Sequence, residues 1–121
     1  MDALDNLNLT TCSIDMGFAP KDHDRAVHLL LSVAGAIRAK RGCRTCRVGM
    51  EAAEEGQVHY QEEWDSEDAF RRHVESAQFR PVFVAMEMCT EAPRVVIGML
   101  SGQCGLEYLR LLRESGGAPA E

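Results

Sequence analysis

Residues 60–64 read Tyr-Gln-Glu-Glu-Trp. Alternate positions of an extended chain project to one side, so Tyr60, Glu62 and Trp64 fall on one strand face. A carboxylate between two aromatic side chains does not suit a purely structural core, because a buried acid must be paired or pushed toward its neutral form. Glu62 is therefore either a functional group or bonded to a neighbouring backbone or Arg. The Trp64 ring can form one wall of a flat aromatic pocket, with its indole N–H meeting an oxygen of a bound molecule, or it can serve core packing alone. Nine positions on, His73 lies three after Phe70 and four before Ala77, which sets it on or beside the apolar face of a helix, turned toward the sheet. An imidazole there can take up or deliver a proton near neutral pH, or act as a hydrogen-bonded structural residue. Asp68 or Glu67 could orient it from the preceding turn, and either serves equally well as a helix-start charge in solvent.

A second candidate is the Cys-x-x-Cys pair Cys43 and Cys46. In an extended strand, residues three apart point to opposite faces, so the two sulfurs cannot chelate one ion or close a small disulfide unless the strand begins in a turn. Zinc would need two more ligands, and the sequence has no second Cys-x-x-Cys or His pair at a usable spacing. A thioredoxin-type pair belongs at a helix N-terminus, whereas this one follows a helix C-terminus. The pair reads as two structural thiols, with no metal. His59 alternates with Tyr60 and so faces the other side of the sheet; His23 and His28 sit at the margin of the first helix. Met16, Met50, Met86, Met88 and Met99 are expected to fill irregular core space.

The elements that must position these groups fit one domain of 121 residues. A net charge of -6 argues against nucleic acid as a partner. The N-terminal residues do not read as a signal peptide and no apolar run reaches bilayer length, so a cytoplasmic protein with no membrane partner is expected, its five cysteines reduced. Cys12, Ile14, Met16 and Phe18 alternate as in a half-buried strand; apolar residues at helical spacing follow from Asp22 to Lys40, and Gly42 stops that helix. Cys43 to Ala52 and Gln57 to Trp64 make a hairpin. Asp65 or Ser66 caps a second helix starting at Glu67, which Pro81 should break near Gln78 to Arg80 before a restart from Pro81 to about Cys89. Arg94 to Leu100 is a strand, and Leu106, Leu109 and Leu112 with Tyr108 form a short amphipathic helix. Met1 to Asn6 and Ser115 to Glu121 look loose.

The order βαββαβ gives an α+β, ferredoxin-like domain over residues 7–101 with an antiparallel sheet, and residues 102–121 form a C-terminal helix and tail. Helices on one face leave the other bare, with an apolar and mixed surface expected there, and a second copy paired by a two-fold axis covers it. The C-terminal helix is expected to pack across that partner or close the barrel edge, with folding back on its own subunit as the alternative.

Arg41-Gly42-Cys43, the strand end Glu62-Glu63-Trp64, Ser66-Glu67-Asp68-Ala69-Phe70, His73 and Ser76-Ala77-Gln78-Phe79 together resemble the antibiotic biosynthesis monooxygenase family, over Leu9 to Met99. The resemblance implies a homodimeric α/β barrel with a ligand cleft in each subunit between sheet and helices. Members with established activity oxidise polycyclic phenols or quinols with oxygen and need no metal or flavin. On that reading the partner is a small aromatic molecule, no cofactor is bound, His73 is base or hydrogen-bond donor, Glu62 poises it, and Trp64, Tyr60, Phe70 and Phe83 line the pocket. Haem-degrading members hold iron through a His about ten residues beyond His73; Phe83 occupies that position here and cannot ligate iron. The alternative is a non-enzymatic binding or interaction module on the same dimeric fold. Its sign would be a cleft filled by Phe70, Phe79, Phe83 and methionines.

Overall fold

The computed structural model describes residues 4–5 and 8–116. Its elements are β1 (Leu4–Asp5), β2 (Leu9–Gly17), α1 (Pro20–Arg38), β3 (Cys43–Met50), β4 (Gln57–Trp64), α2 (Glu67–Glu75), a 3-10 turn (Ala77–Phe79), α3 (Arg80–Glu87), β5 (Arg94–Leu100), β6 (Gln103–Cys104) and α4 (Leu106–Ser115). The central sheet is antiparallel in the order β3-β4-β2-β5, the ferredoxin-like arrangement, and its buried face packs against α1, α2 and α3. Along β2 the alternation holds: Cys12, Ile14 and Met16 are buried beneath the helices.

α1 starts at Pro20 rather than Asp22, because the fixed φ and missing N–H of proline suit a first helical turn even without a side-chain cap. It ends two residues before Lys40, which leaves Lys40 and Arg41 in the turn toward β3. Gly42 makes that turn at φ 89°, and a Cβ added to it would meet the Ala69 side chain at 2.8 Å. Its carbonyl accepts the Asp65 N–H at 2.7 Å. One glycine thus brings the end of α1, the end of β4 and the start of α2 together. Ser66, rather than Asp65, caps α2, accepting the Ala69 N–H at 3.1 Å.

The break after α2 comes earlier than proline alone requires. Ser76 adopts an extended backbone, its hydroxyl donating to the His73 carbonyl at 2.7 Å, and α3 restarts at Arg80 with Pro81 in its first turn. Leu4 and Asp5, expected to be loose, pair with Gln103 and Cys104. The end of the C-terminal tail, residues 117–121, lies outside the described residues.

Two expectations about sheet faces change. Cys43 pairs with Trp64, Thr45 with Glu63 and Cys46 with Glu62, so Arg44 is the extra residue of a β-bulge. The bulge restores parity and turns Cys43 and Cys46 to the same face, the one that carries Glu62. The outer face, expected to be apolar and mixed, carries mostly polar groups: Ser13, Asp15, Arg47, His59 and Gln61, with Val96. There His59 bridges Asp15 at 2.7 Å and Glu51 at 3.0 Å, and these carboxylates, Glu51 first, hold its imidazole above the usual range. Exposed apolar side chains lie elsewhere. Val95, Ile97 and Met99 project to the helix side of β5 beyond the cover of the helices, and α4 buries none of its residues.

Candidate active site

Beneath the helices, β4 presents Tyr60, Glu62 and Trp64 side by side, and α2 lowers His73 onto them. All four are buried, and the side chains of Glu62 and His73 have no exposed surface. Glu62 is held by neither backbone nor Arg. Its Oε1 accepts the Trp64 indole N–H at 2.9 Å, and its Oε2 accepts the Tyr60 hydroxyl and faces His73 Nε2 at 3.0 Å. Three side-chain donors converge on one carboxylate, which satisfies a buried negative charge without a guanidinium.

His73 is oriented from a direction the sequence did not indicate. Lys40 Nζ lies 3.2 Å from its Nδ1 and donates to Ser76 Oγ at 3.0 Å. An ammonium can only donate, so Nδ1 accepts and Nε2 carries the proton given to Glu62; the neutral Nε2–H tautomer satisfies both contacts. Asp68 and Glu67, expected to orient His73, are exposed instead and make no bond to it. The Trp64 ring stacks on the imidazole with centroids 4.6 Å apart, and Phe79 meets it edge-on at 5.1 Å. The indole N–H, expected to be available to a bound molecule, is committed to Glu62.

A pocket of about 250 Å³ opens over this network, lined by Lys40, Arg41, Trp64, Ala69, Arg72 and His73. Of the residues expected to line a cleft, Trp64 lies at this pocket; Tyr60 is sealed beneath Glu62, Phe70 is half-buried, and Phe83 is half-exposed and packs edge-on against Phe79. Lys40 and Arg72 belong to no motif that the sequence offered, and Arg41 and Ser76 lie in motifs of the family resemblance that gave them no role at the site. The signal for Lys40 was only that it ends the helical pattern two residues before Gly42.

Thiols complete the surroundings. Cys12 and Cys46 pair with Glu62 from the two flanking strands, and the Cys46 thiol donates to the Tyr60 hydroxyl at 3.3 Å. Burial first, then the Glu62 charge, pushes the Cys12 thiol up to about 12. Burial, partly opposed by the bond with Tyr60, pushes Cys46 up to about 11, and burial with the Glu62 charge raises the Tyr60 phenol well above its ordinary value. These groups are held in their protonated forms around a carboxylate, with Cys46 and Tyr60 as donors. Among the described residues no group of three or more His, Cys, Asp or Glu is arranged to hold a metal ion.

The raised thiols make stability fall in alkali. The unfolded thiol ionises near pH 9 while the folded one keeps its proton, so above that pH the unfolded chain binds fewer protons and is favoured. The window runs from about pH 9 to 11 for Cys46 and to 12 for Cys12. Between pH 7.5 and 10.5 each thiol should remove roughly 2 kcal/mol. Urea midpoints across that range measure it. Cys12→Ala and Cys46→Ala should each flatten the pH slope, and an unchanged slope in both would show that the thiols do not cause it.

The family model described as antibiotic biosynthesis monooxygenase matches residues 13–83, more than half of the chain. No curated protein matches the sequence. Among solved structures, Rv0793 from Mycobacterium tuberculosis is similar with 20% identity and a TM-score of 0.68, over 74% of this chain and 92% of that one. A conserved protein from Methanosarcina mazei Go1 is similar with 19% identity and a TM-score of 0.69, over 77% and 92% of the two chains. A structure described as antibiotic biosynthesis monooxygenase has 18% identity and a TM-score of 0.66, over 74% and 95%. At these identities the structural likeness speaks for the fold, and the sequence match supplies the kinship. The chain belongs to the antibiotic biosynthesis monooxygenase family, and its general kind is that of a monooxygenase-like oxidoreductase.

Proposed function

We propose that the protein oxidises a small phenol, quinol or anthrone-like aromatic with molecular oxygen, the electrons coming from the substrate itself. The observation that carries this reading is the relay from half-buried Lys40 to buried His73 and Glu62, whose outer end lines a pocket. A phenol hydroxyl entering the pocket displaces Lys40 from Nδ1 and gives its proton to that nitrogen. Glu62, already bonded to Nε2, stabilises the imidazolium, as a base-orienting carboxylate does. Lys40 turns to the phenolate oxygen, and the neighbouring cations favour the charged form. For an anthrone-like substrate, one ring methylene and one molecule of dioxygen give one ring ketone and one water. Two C–H bonds break, four electrons pass from carbon to oxygen, and one oxygen atom ends in the ketone and the other in water. Oxygen uptake with a panel of quinols and anthrones, with product mass measured alongside, tests the reading.

The enclosure of His73 between Trp64 and Phe79 supports a second reading, a small-molecule binding module without turnover. Mass spectrometry of the native protein separates the two: a co-purified aromatic with no oxygen uptake favours binding alone.

The assembly belongs to the same proposal. The protein pairs as a homodimer, and α4, with Leu106 60% and Leu109 64% exposed, packs on the partner rather than on its own chain. Val95, Ile97 and Met99 offer it an apolar seat. Truncation after Ser101 should shift the dimer toward monomer in sedimentation by at least tenfold in dissociation constant; a full-length protein that is monomeric at micromolar concentration would sink the assembly.

A further inference from the structure

The pocket over His73 has a charge pattern at odds with the molecule around it. The chain carries a net charge of -6, yet this lining includes three cationic side chains, Lys40, Arg41 and Arg72, and no acidic one. The slightly larger concavity of about 280 Å³ near Phe18 and His23 is instead bordered by Asp24 and Glu55 and includes none of the network residues. Lys40 is half-buried, and both acceptors of its ammonium, His73 Nδ1 and Ser76 Oγ, are uncharged. Among the described residues no carboxylate lies within 4 Å of Lys40, Arg41 or Arg72, a state that Lys21, Arg38, Arg47, Arg80, Arg94 and Arg113 share; what sets the three apart is that they line one pocket. A cation drawn part-way out of water with like charges beside it is disfavoured, and a bound anion relieves both costs. Guanidinium groups match a carboxylate by paired N–H donors.

We propose that this pocket recognises an aromatic molecule of one or two rings that bears a carboxylate. The carboxylate meets Arg41 and Arg72 at the rim, the ring lies along Ala69 and the edge of Trp64, and a ring hydroxyl reaches Lys40 and His73. The hydroxyl's fate rests on the oxidative reading above; recognition of the carboxylate rests on Arg41 and Arg72 in a lining without acids.

The test compares 6-hydroxy-2-naphthoate with its neutral isostere 6-hydroxy-2-naphthamide by calorimetric titration of the full chain. The acid should bind roughly ten- to a hundredfold more tightly than the amide at low salt, against the field of a net negative protein, and the ratio should shrink as salt is added. Arg41 and Arg72 are exposed, so Arg41→Gln with Arg72→Gln should leave the melting temperature unchanged and bring the ratio close to one. Equal binding of acid and amide, or a preference that survives the double substitution, overturns the proposal. Acid preference without oxygen uptake would keep carboxylate recognition and remove the oxidative reading. Uptake with neutral quinols and no acid preference would do the reverse.

Discussion

Glu62→Ala should lower the unfolding free energy by about 3–5 kcal/mol, a large fraction of what holds a domain of this size folded. The carboxylate is the common acceptor of the Trp64 indole, the Tyr60 hydroxyl and His73 Nε2, all in a region without exposed surface. Its removal strands three buried donors and leaves the half-buried Lys40 cation without the negative charge beyond His73. It also opens a void in a closely packed core. Glu62→Gln separates the two contributions. The amide keeps the shape and one acceptor oxygen but turns a donor toward Tyr60 or His73, so its loss should be smaller than that of alanine yet clearly measurable. Urea unfolding of the three proteins at pH 7.5 decides. A loss below about 1 kcal/mol for Glu62→Ala would mean that the carboxylate contributes almost nothing net, as some buried ion networks do.

The face-sharing of Tyr60, Glu62 and Trp64 was legible because strand alternation is strict, and the position of His73 because helical spacing placed it beside Phe70 and Ala77. These are local periodicities, and they survive folding unchanged. The partners of Glu62 were hidden for the opposite reason. His73 is 11 residues away from Glu62 and Lys40 is 33 residues from His73, and tertiary contacts such as the close approach of Gly42 to Ala69 bring those segments together. The shared face of Cys43 and Cys46 depends on a single inserted residue, Arg44, whose sequence carries no bulge signal. The short β1 and β6 pairing joins segments about a hundred residues apart, with two residues each, too few for any periodicity. Polar character on the outer face was in fact present in the alternation of Ser13, Asp15, His59 and Gln61. The expectation of an apolar face came from the need to cover a sheet, and that need bears on the edge strand and α4 instead.

His73→Ala should reduce oxygen uptake on a phenolic substrate by about 10²- to 10⁴-fold, the range a positioned general base contributes. The mutation removes the ring whose Nδ1 meets the pocket residue Lys40 and whose Nε2 is backed by the Glu62 carboxylate, so no neighbouring group can take the proton with the same assistance. Stability will fall too, since an imidazole stacked on Trp64 and edged by Phe79 leaves a void. Rates must therefore be referred to the folded fraction. Lys40→Met supplies the control that a structural effect cannot imitate. It leaves His73 and Glu62 in place but removes the cation that stabilises the phenolate, so the substrate must be deprotonated at higher pH and the alkaline rise of the rate should move upward. His73→Ala should flatten that profile rather than shift it. Normal uptake in folded His73→Ala protein would take the proton transfer away from this residue. A wild-type protein inactive across the whole quinol and anthrone panel would leave the Glu62 network as the keystone of a binding fold rather than a catalyst.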